Sequence, residues 1–176
     1  MKPLIGAILA LAVVLLGGFL FGMSGVFNVA ATDPHSDFAR WMMHTTMRRS
    51  VAMRASGITA PETFTDAQAR SGFDEFSAMC AGCHGAPGKM RSMAGKGLNP
   101  RAPDLAIVAN DWDNRSLFWI VKNGVKMTGM PAFGPTHDDK TVWDIVAFVR
   151  QLPDMTSEQY ARFEEENVAS GHAHEH

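Results

Sequence analysis

Hydrophobic residues form one unbroken stretch at the start of the chain. From residue 4 to residue 29 no side chain is charged. A helix rises about 1.5 Å per residue, so roughly 20 apolar residues cross a hydrocarbon core about 30 Å thick. We therefore expect residues 1–30 to form a transmembrane anchor. The alternative is a cleaved signal peptide ending at Val29-Ala30-Ala31, although the apolar core of a signal peptide usually has only about 7–15 residues.

A second helix is predicted directly after the anchor, over residues 36–56. Asp33-Pro34 resembles a helix start, with Asp33 as the N-cap, and no helix breaker follows until Gly57. The apolar residues of this helix form no single stripe. Two interpretations therefore stay open for residues 31–60: a helix lying among lipid headgroups, or a docking helix for a membrane-bound partner.

The rest of the chain has apolar residues at helical spacing and no alternating pattern typical of strands. It predicts a mainly α fold, with helices at 66–79, 114–123, 140–152 and 156–168. Sixteen basic residues against 18 acidic ones give a net charge of −2, which argues against a nucleic-acid-binding protein. Hydrophobic residues make up 46% of the chain, which is too many for a disordered protein.

The chain has only two cysteines, and both belong to one short motif. Cys80-Ala81-Gly82-Cys83-His84 is C-x-x-C-H, the attachment signature of c-type haem. Two thiols at this spacing bind the two vinyl groups of one haem, and His84 follows as an axial iron ligand. A zinc site would need a second pair of ligands at matching spacing. A thioredoxin-like redox pair would need a βαβ context, which this region lacks.

A low-spin haem needs a sixth ligand, and the chain contains 12 methionines. Met130 is favoured because Gly129 and Pro131 beside it predict an extended loop from which a thioether can reach iron. Met127, three residues earlier, is the alternative. The predicted ligands of the iron are therefore His84 and Met130.

Residues 66–155 resemble a class I c-type cytochrome, on the strength of the C-x-x-C-H, the later Gly-Met-Pro and the helices around them. The resemblance implies a helical domain, set here at residues 61–155, around one covalent haem c. It also implies that Gly72 and Phe76 lie where the first helix crosses the last. A proline carbonyl is expected to accept a hydrogen bond from His84, with Pro103 favoured over Pro100.

Ligands on both faces of the haem leave no position for a substrate, so we expect an electron carrier without enzymatic activity or a small-molecule substrate. Haem is attached outside the bacterial cytoplasmic membrane, which predicts a cytoplasmic N-terminus and a periplasmic haem domain. The expected partners are the lipid bilayer and a membrane respiratory complex or another cytochrome. The alternatives are a haem sensor or peroxidase-like protein with a labile sixth ligand, and a mainly structural subunit of a membrane complex.

Two charged segments complete the sequence. Several basic residues follow the motif and would steer an acidic partner to the haem edge, or belong to an ordinary solvated loop: Lys89, Arg91, Lys96 and Arg101. Residues 156–176 are expected to form a short acidic helix followed by a His-rich tail, and the helix is capped by the pattern Thr156-x-x-Gln159 or by Ser157. We expect that tail to be disordered, with weak binding of a divalent metal as the alternative.

Overall fold

A computed structural model describes residues 2–169 of the chain. Within that range the chain is helical and contains no β-strand. It divides into two compact units, one ending at Asp33 and one beginning at Pro34. The helices are α1 Lys2–Met23, α2 Asp37–Ala55, α3 Asp66–Glu75, α4 Ala81–His84, α5 Met93–Lys96, α6 Leu105–Val108, α7 Asn114–Asn123, α8 Asp139–Val149 and α9 Ser157–Ala169. The predicted His-rich tail lies outside the described residues.

The first unit consists mainly of α1. This helix has 22 residues and no buried side chain, and its most apolar window of 18 residues has a mean hydropathy of 2.8. At about 1.5 Å per residue it is about 33 Å long, enough to cross a hydrocarbon core. Its length and composition fit a single membrane-spanning helix, and an N-terminal signal sequence passes the same test.

The second unit begins with α2, whose start differs from the prediction. The helix begins at Asp37, because the Ser36 Oγ accepts a hydrogen bond from the Ala39 N–H at 3.3 Å and so caps the first turn. Asp33 lies in a preceding turn, where its N–H donates to the Ala30 carbonyl. The prediction of Asp33 as the N-cap was therefore wrong by three residues.

The core of the second unit lies where α3 crosses α8. A Cβ added at Gly72 would lie 2.9 Å from the Ile145 nitrogen and closer still to the Asp144 carbonyl, so only glycine allows this approach. Phe76 is fully buried, with its ring centroid 5.1 Å from that of Phe148. The expected roles of Gly72 and Phe76 at the helix crossing are thereby confirmed.

The acidic helix α9 packs onto this core. Thr156 caps it through a reciprocal pair of hydrogen bonds with Gln159, as the sequence predicts. Tyr160 is only 1% exposed, and its ring lies 5.4 Å from the ring of Phe73. An ion pair of 2.9 Å joins Glu164 to Lys89 in the loop after the C-x-x-C-H motif. Helix α9 therefore contributes to the core, which the sequence pattern had not indicated.

Candidate cofactor site

The C-x-x-C-H motif lies where the helical geometry of the chain changes. The regular helix α3 ends at Glu75 and continues as a π-helical turn, Phe76–Cys80, which leads directly into α4. Cys80 and Cys83 are both half-buried. Before haem is attached, burial raises the pKa of the Cys80 thiol to about 12.

The His84 ring is oriented by a backbone carbonyl. Its Nδ1 lies 2.8 Å from the Pro103 carbonyl oxygen, and because that oxygen only accepts, Nδ1 must carry the proton. Burial lowers the pKa of His84, which keeps the imidazole neutral. The lone pair of Nε2 is therefore available to a metal. The structure places Pro103, rather than the alternative Pro100, at this ring.

The loop after the motif packs back against it. The Ser92 N–H donates to the Gly82 carbonyl at 2.8 Å, and the Arg91 Nε donates to the His84 carbonyl at 3.3 Å. These bonds satisfy two carbonyls of the short helix α4, whose last turn has no intrahelical partners for them. They fix the attachment segment from the side of the loop.

Met130 and Met127 have different surroundings. The Met130 N–H donates to the Thr128 Oγ1 at 3.1 Å, and its carbonyl accepts from the Val125 N–H at 3.2 Å. Its side chain is partly buried against the hydrophobic core. Met127 is 89% exposed and has a φ of 61° at the tip of the turn. Of these two methionines, only Met130 has a side chain packed against the interior.

The Met130 loop is also joined to α7. Gly124 ends α7 with a φ of +66°, and a Cβ there would lie 2.6 Å from the Pro131 carbonyl carbon. Beyond Met130, the Phe133 N–H donates to the Val121 carbonyl at 3.2 Å. The loop therefore leaves α7 and returns to it. Sequence reasoning missed Gly124, although a glycine directly after a predicted helix is a signal for such an ending.

Comparison with known proteins adds one finding. Residues 67–149 match a family model described as cytochrome c oxidase, cbb3-type, subunit III. The matched segment runs from α3 to the end of α8 and includes both the C-x-x-C-H motif and Met130. Residues 67–149 are a class I c-type cytochrome domain. No curated protein matches the chain.

The residues of the cytochrome domain are suited to a covalent haem c. Two half-buried thiols lie at C-x-x-C-H spacing, beside a neutral imidazole whose Nδ1 already has a partner. Leu117, Phe118 and Val121 of α7 are buried and contribute to an apolar interior. Within residues 2–169 no group of three or more His, Cys, Asp or Glu side chains forms another metal site. The cofactor of this domain is haem c, attached covalently.

The surface beside His84 carries a concentration of positive charge. A shallow pocket of about 330 Å³ is lined by His84, Asp104 and the four basic residues that the sequence singles out after the motif. Lys89 is paired with Glu164 on α9, and Arg91 is half-buried against the His84 carbonyl. Lys96 and Arg101 are exposed to solvent. The predicted basic residues are therefore brought together at the cofactor site.

Proposed function

We propose that this protein is a membrane-anchored, periplasmic electron carrier in which His84 and Met130 are the axial ligands. The haem supplies a one-electron couple between ferric and ferrous iron. The role of the protein is to fix the ligands, exclude water from the apolar interior and present the site to redox partners. It works with a membrane respiratory complex, or as a subunit of one.

The inward position of Met130 carries this proposal. Its loop is fixed at Val125, Thr128 and α7, and its side chain is packed on the same core as the helix of the C-x-x-C-H motif. A thioether in such a fixed position closes the sixth coordination site without a rearrangement of the protein. A closed site favours electron transfer over binding of a substrate or gas.

The proposed location follows from the anchor and from where haem is attached. Helix α1 is uncharged after Lys2, but the following helix α2 carries four arginines, so the flanking charges do not set the orientation of α1. Covalent haem attachment takes place outside the bacterial cytoplasmic membrane, so the cytochrome domain belongs on the periplasmic side. Anchoring keeps this domain at high effective concentration near membrane complexes.

The basic surface beside His84 is suited to a redox partner with an acidic surface. Lys96 and Arg101 are exposed and without ion pairs in the described part of the chain, so they contribute to the potential over the site. Positive charge there increases the rate of encounter with an acidic surface, and salt screens the effect. We expect the rate of electron transfer to such a partner to fall with ionic strength.

Carbon monoxide tests whether the sixth position is closed. The full-length protein is solubilised in detergent, reduced and exposed to carbon monoxide while its optical spectrum is recorded. A closed site predicts a spectrum that does not change. A complete shift to a carbon monoxide-bound spectrum would instead show a labile sixth ligand, as in a haem sensor or peroxidase-like protein.

A further inference from the structure

Helix α2 has two apolar faces, and residues 2–169 cover only one of them. Val51 and Ala55 are buried where α2 packs on α7. On the same side, the Arg48 guanidinium lies 4.6 Å from the ring centroid of Trp112 and donates to the Asp111 carbonyl at 3.1 Å. These contacts hold α2 in a fixed orientation on the cytochrome domain.

A second set of α2 residues faces away from the domain and is exposed. The side chains are 65% exposed at Phe38, 63% at Trp41, 46% at Met42 and 73% at Met53. Because a helix turns about 100° per residue, Phe38, Met42, Arg49 and Met53 lie within about 60° of one another opposite Val51, and Trp41 lies at the edge of that side next to Phe38. We call this set, Phe38, Trp41, Met42, Arg49 and Met53, the outward stripe.

We propose that the outward stripe lies in the headgroup region of the lipid bilayer, so that α2 is a second membrane contact that orients the cytochrome domain. This inference rests on the membrane anchoring proposed above. It goes beyond that anchoring, because α1 alone would leave the domain free to rotate on its linker.

The composition of the outward stripe matches a lipid surface. It combines four apolar side chains with Arg49, whereas Arg48 packs on Trp112 and Arg40 pairs with Asp37. Arginine side chains pair with lipid phosphates, and their aliphatic stems lie along apolar surface. Tryptophan is enriched at membrane interfaces, and the rings of Trp41 and Phe38 lie together with centroids 6.0 Å apart. A soluble acidic partner would match Arg49 but not the aromatic pair.

The connection to the anchor also favours lipid as the occupant. Only residues 24–36 separate the end of α1 at Met23 from the start of α2 at Asp37. Fully extended, this linker spans at most about 45 Å, so α2 stays close to the bilayer that holds α1. A lipid surface is therefore present at high effective concentration at all times, whereas a protein partner must first be encountered.

Cysteine labelling in nanodiscs tests the proposal on the full-length holoprotein. Cys80 and Cys83 are consumed by haem attachment, so one introduced cysteine is the only free thiol. Met42→Cys and Met53→Cys probe the outward stripe. Met43→Cys is the matched control, because Met43 is 42% exposed and Met42 46%, yet Met43 lies about 100° further around the helix. Each disc holds one chain, which prevents self-association.

The readout is the rate of modification by a charged, membrane-impermeant maleimide. We expect a loss of labelling at positions 42 and 53 relative to position 43. Replacing the aromatic pair, with Phe38→Ser and Trp41→Ser together, is expected to restore labelling at position 53. The optical spectrum of this variant shows whether the domain remains folded.

Equal labelling at positions 42, 43 and 53 would overturn the proposal. It would show that the outward stripe is exposed to water, as expected for a surface that binds a protein partner. Failure of the anchor itself gives a different result, because a chain without a membrane-spanning helix would not co-elute with the nanodiscs. The two outcomes are therefore separate.

Discussion

The crossing of α3 and α8 depends on the absence of a side chain at residue 72. In Gly72→Ala the new methyl would lie 2.9 Å from the Ile145 nitrogen and closer to the Asp144 carbonyl, whereas ordinary contacts lie at 3.4–4 Å. Both obstacles are backbone atoms of α8, so no rotation of a side chain relieves the overlap. The two helices must move apart, and the contact between Phe76 and Phe148 loosens with them.

The expected cost follows from two opposing effects. Overpacking a core typically costs about 1–3 kcal/mol, and a rigid backbone obstacle belongs at the upper end of that range or above it. Alanine recovers at most about 1 kcal/mol through its better helix propensity. We expect the free energy of unfolding to fall by about 2 kcal/mol or more. At a slope of about 2 kcal/mol per molar urea, the unfolding midpoint falls by about 1 M.

Urea unfolding of the detergent-solubilised holoprotein measures this change. Haem quenches tryptophan fluorescence in the folded domain, so unfolding is followed as a gain of fluorescence. Gly57→Ala is the matched control, because a Cβ at Gly57 meets no atom within 4 Å. If Gly72→Ala unfolds at the same urea concentration as Gly57→Ala, the close crossing described above is wrong.

Two further predictions concern the helices that flank this core. Arg48→Ala removes the contact with Trp112 and one hydrogen bond, and should cost about 1 kcal/mol of stability in urea unfolding. Arg49→Ala on the outward stripe should stay within about 0.5 kcal/mol in detergent, and equal losses in both variants would contradict the packing of α2. Burial raises the pKa of Tyr160 to about 12 from an ordinary value of 10.0, so the folded state holds this proton more tightly than the unfolded state. The resulting stability is complete below pH 10 and is lost as the pH rises toward 12. Urea midpoints measured between pH 9 and pH 12 should fall less steeply in Tyr160→Phe than in the natural chain, and identical slopes would refute the assignment.

Local signals in the sequence predicted several elements correctly. The predicted helix at residues 114–123 matches α7, whose bounds are set locally by the cap at Asp113 and by Gly124, which the prediction did not use. The start of α9 was also predicted, since the capping pattern of Thr156 and Gln159 needs no distant partner. These elements depend on interactions between residues close in sequence.

Elements that depend on distant contacts were harder to predict. The π-helical turn at Phe76–Cys80 has no distinctive composition, so the sequence suggested one regular helix through residue 79. The packing of α9 was missed because its acidic residues dominate the pattern. Tyr160 and Phe163 are three residues apart on one face, and this spacing was the available signal.

The residues of the candidate site also fall into those predicted by a local motif and those that depend on distant contacts. Cys80, Cys83 and His84 follow from one local motif, whereas the choice between Met127 and Met130 depends on where the loop folds. Burial of Met130 against the core and the hydrogen bond from Thr128 are properties of the folded chain. The sequence could therefore name two methionines but could not show their different surroundings.

The most direct test of the account is the optical spectrum of the oxidised, detergent-solubilised protein, with attention to the weak far-red band that indicates methionine sulfur bound to ferric haem. If Met130 is the sixth ligand, this band is present in the natural chain, is unchanged in Met127→Ala and is absent from Met130→Ala. A band that persists in Met130→Ala, or a high-spin spectrum without the band in the natural chain, would contradict ligation by Met130 and with it the proposed electron carrier.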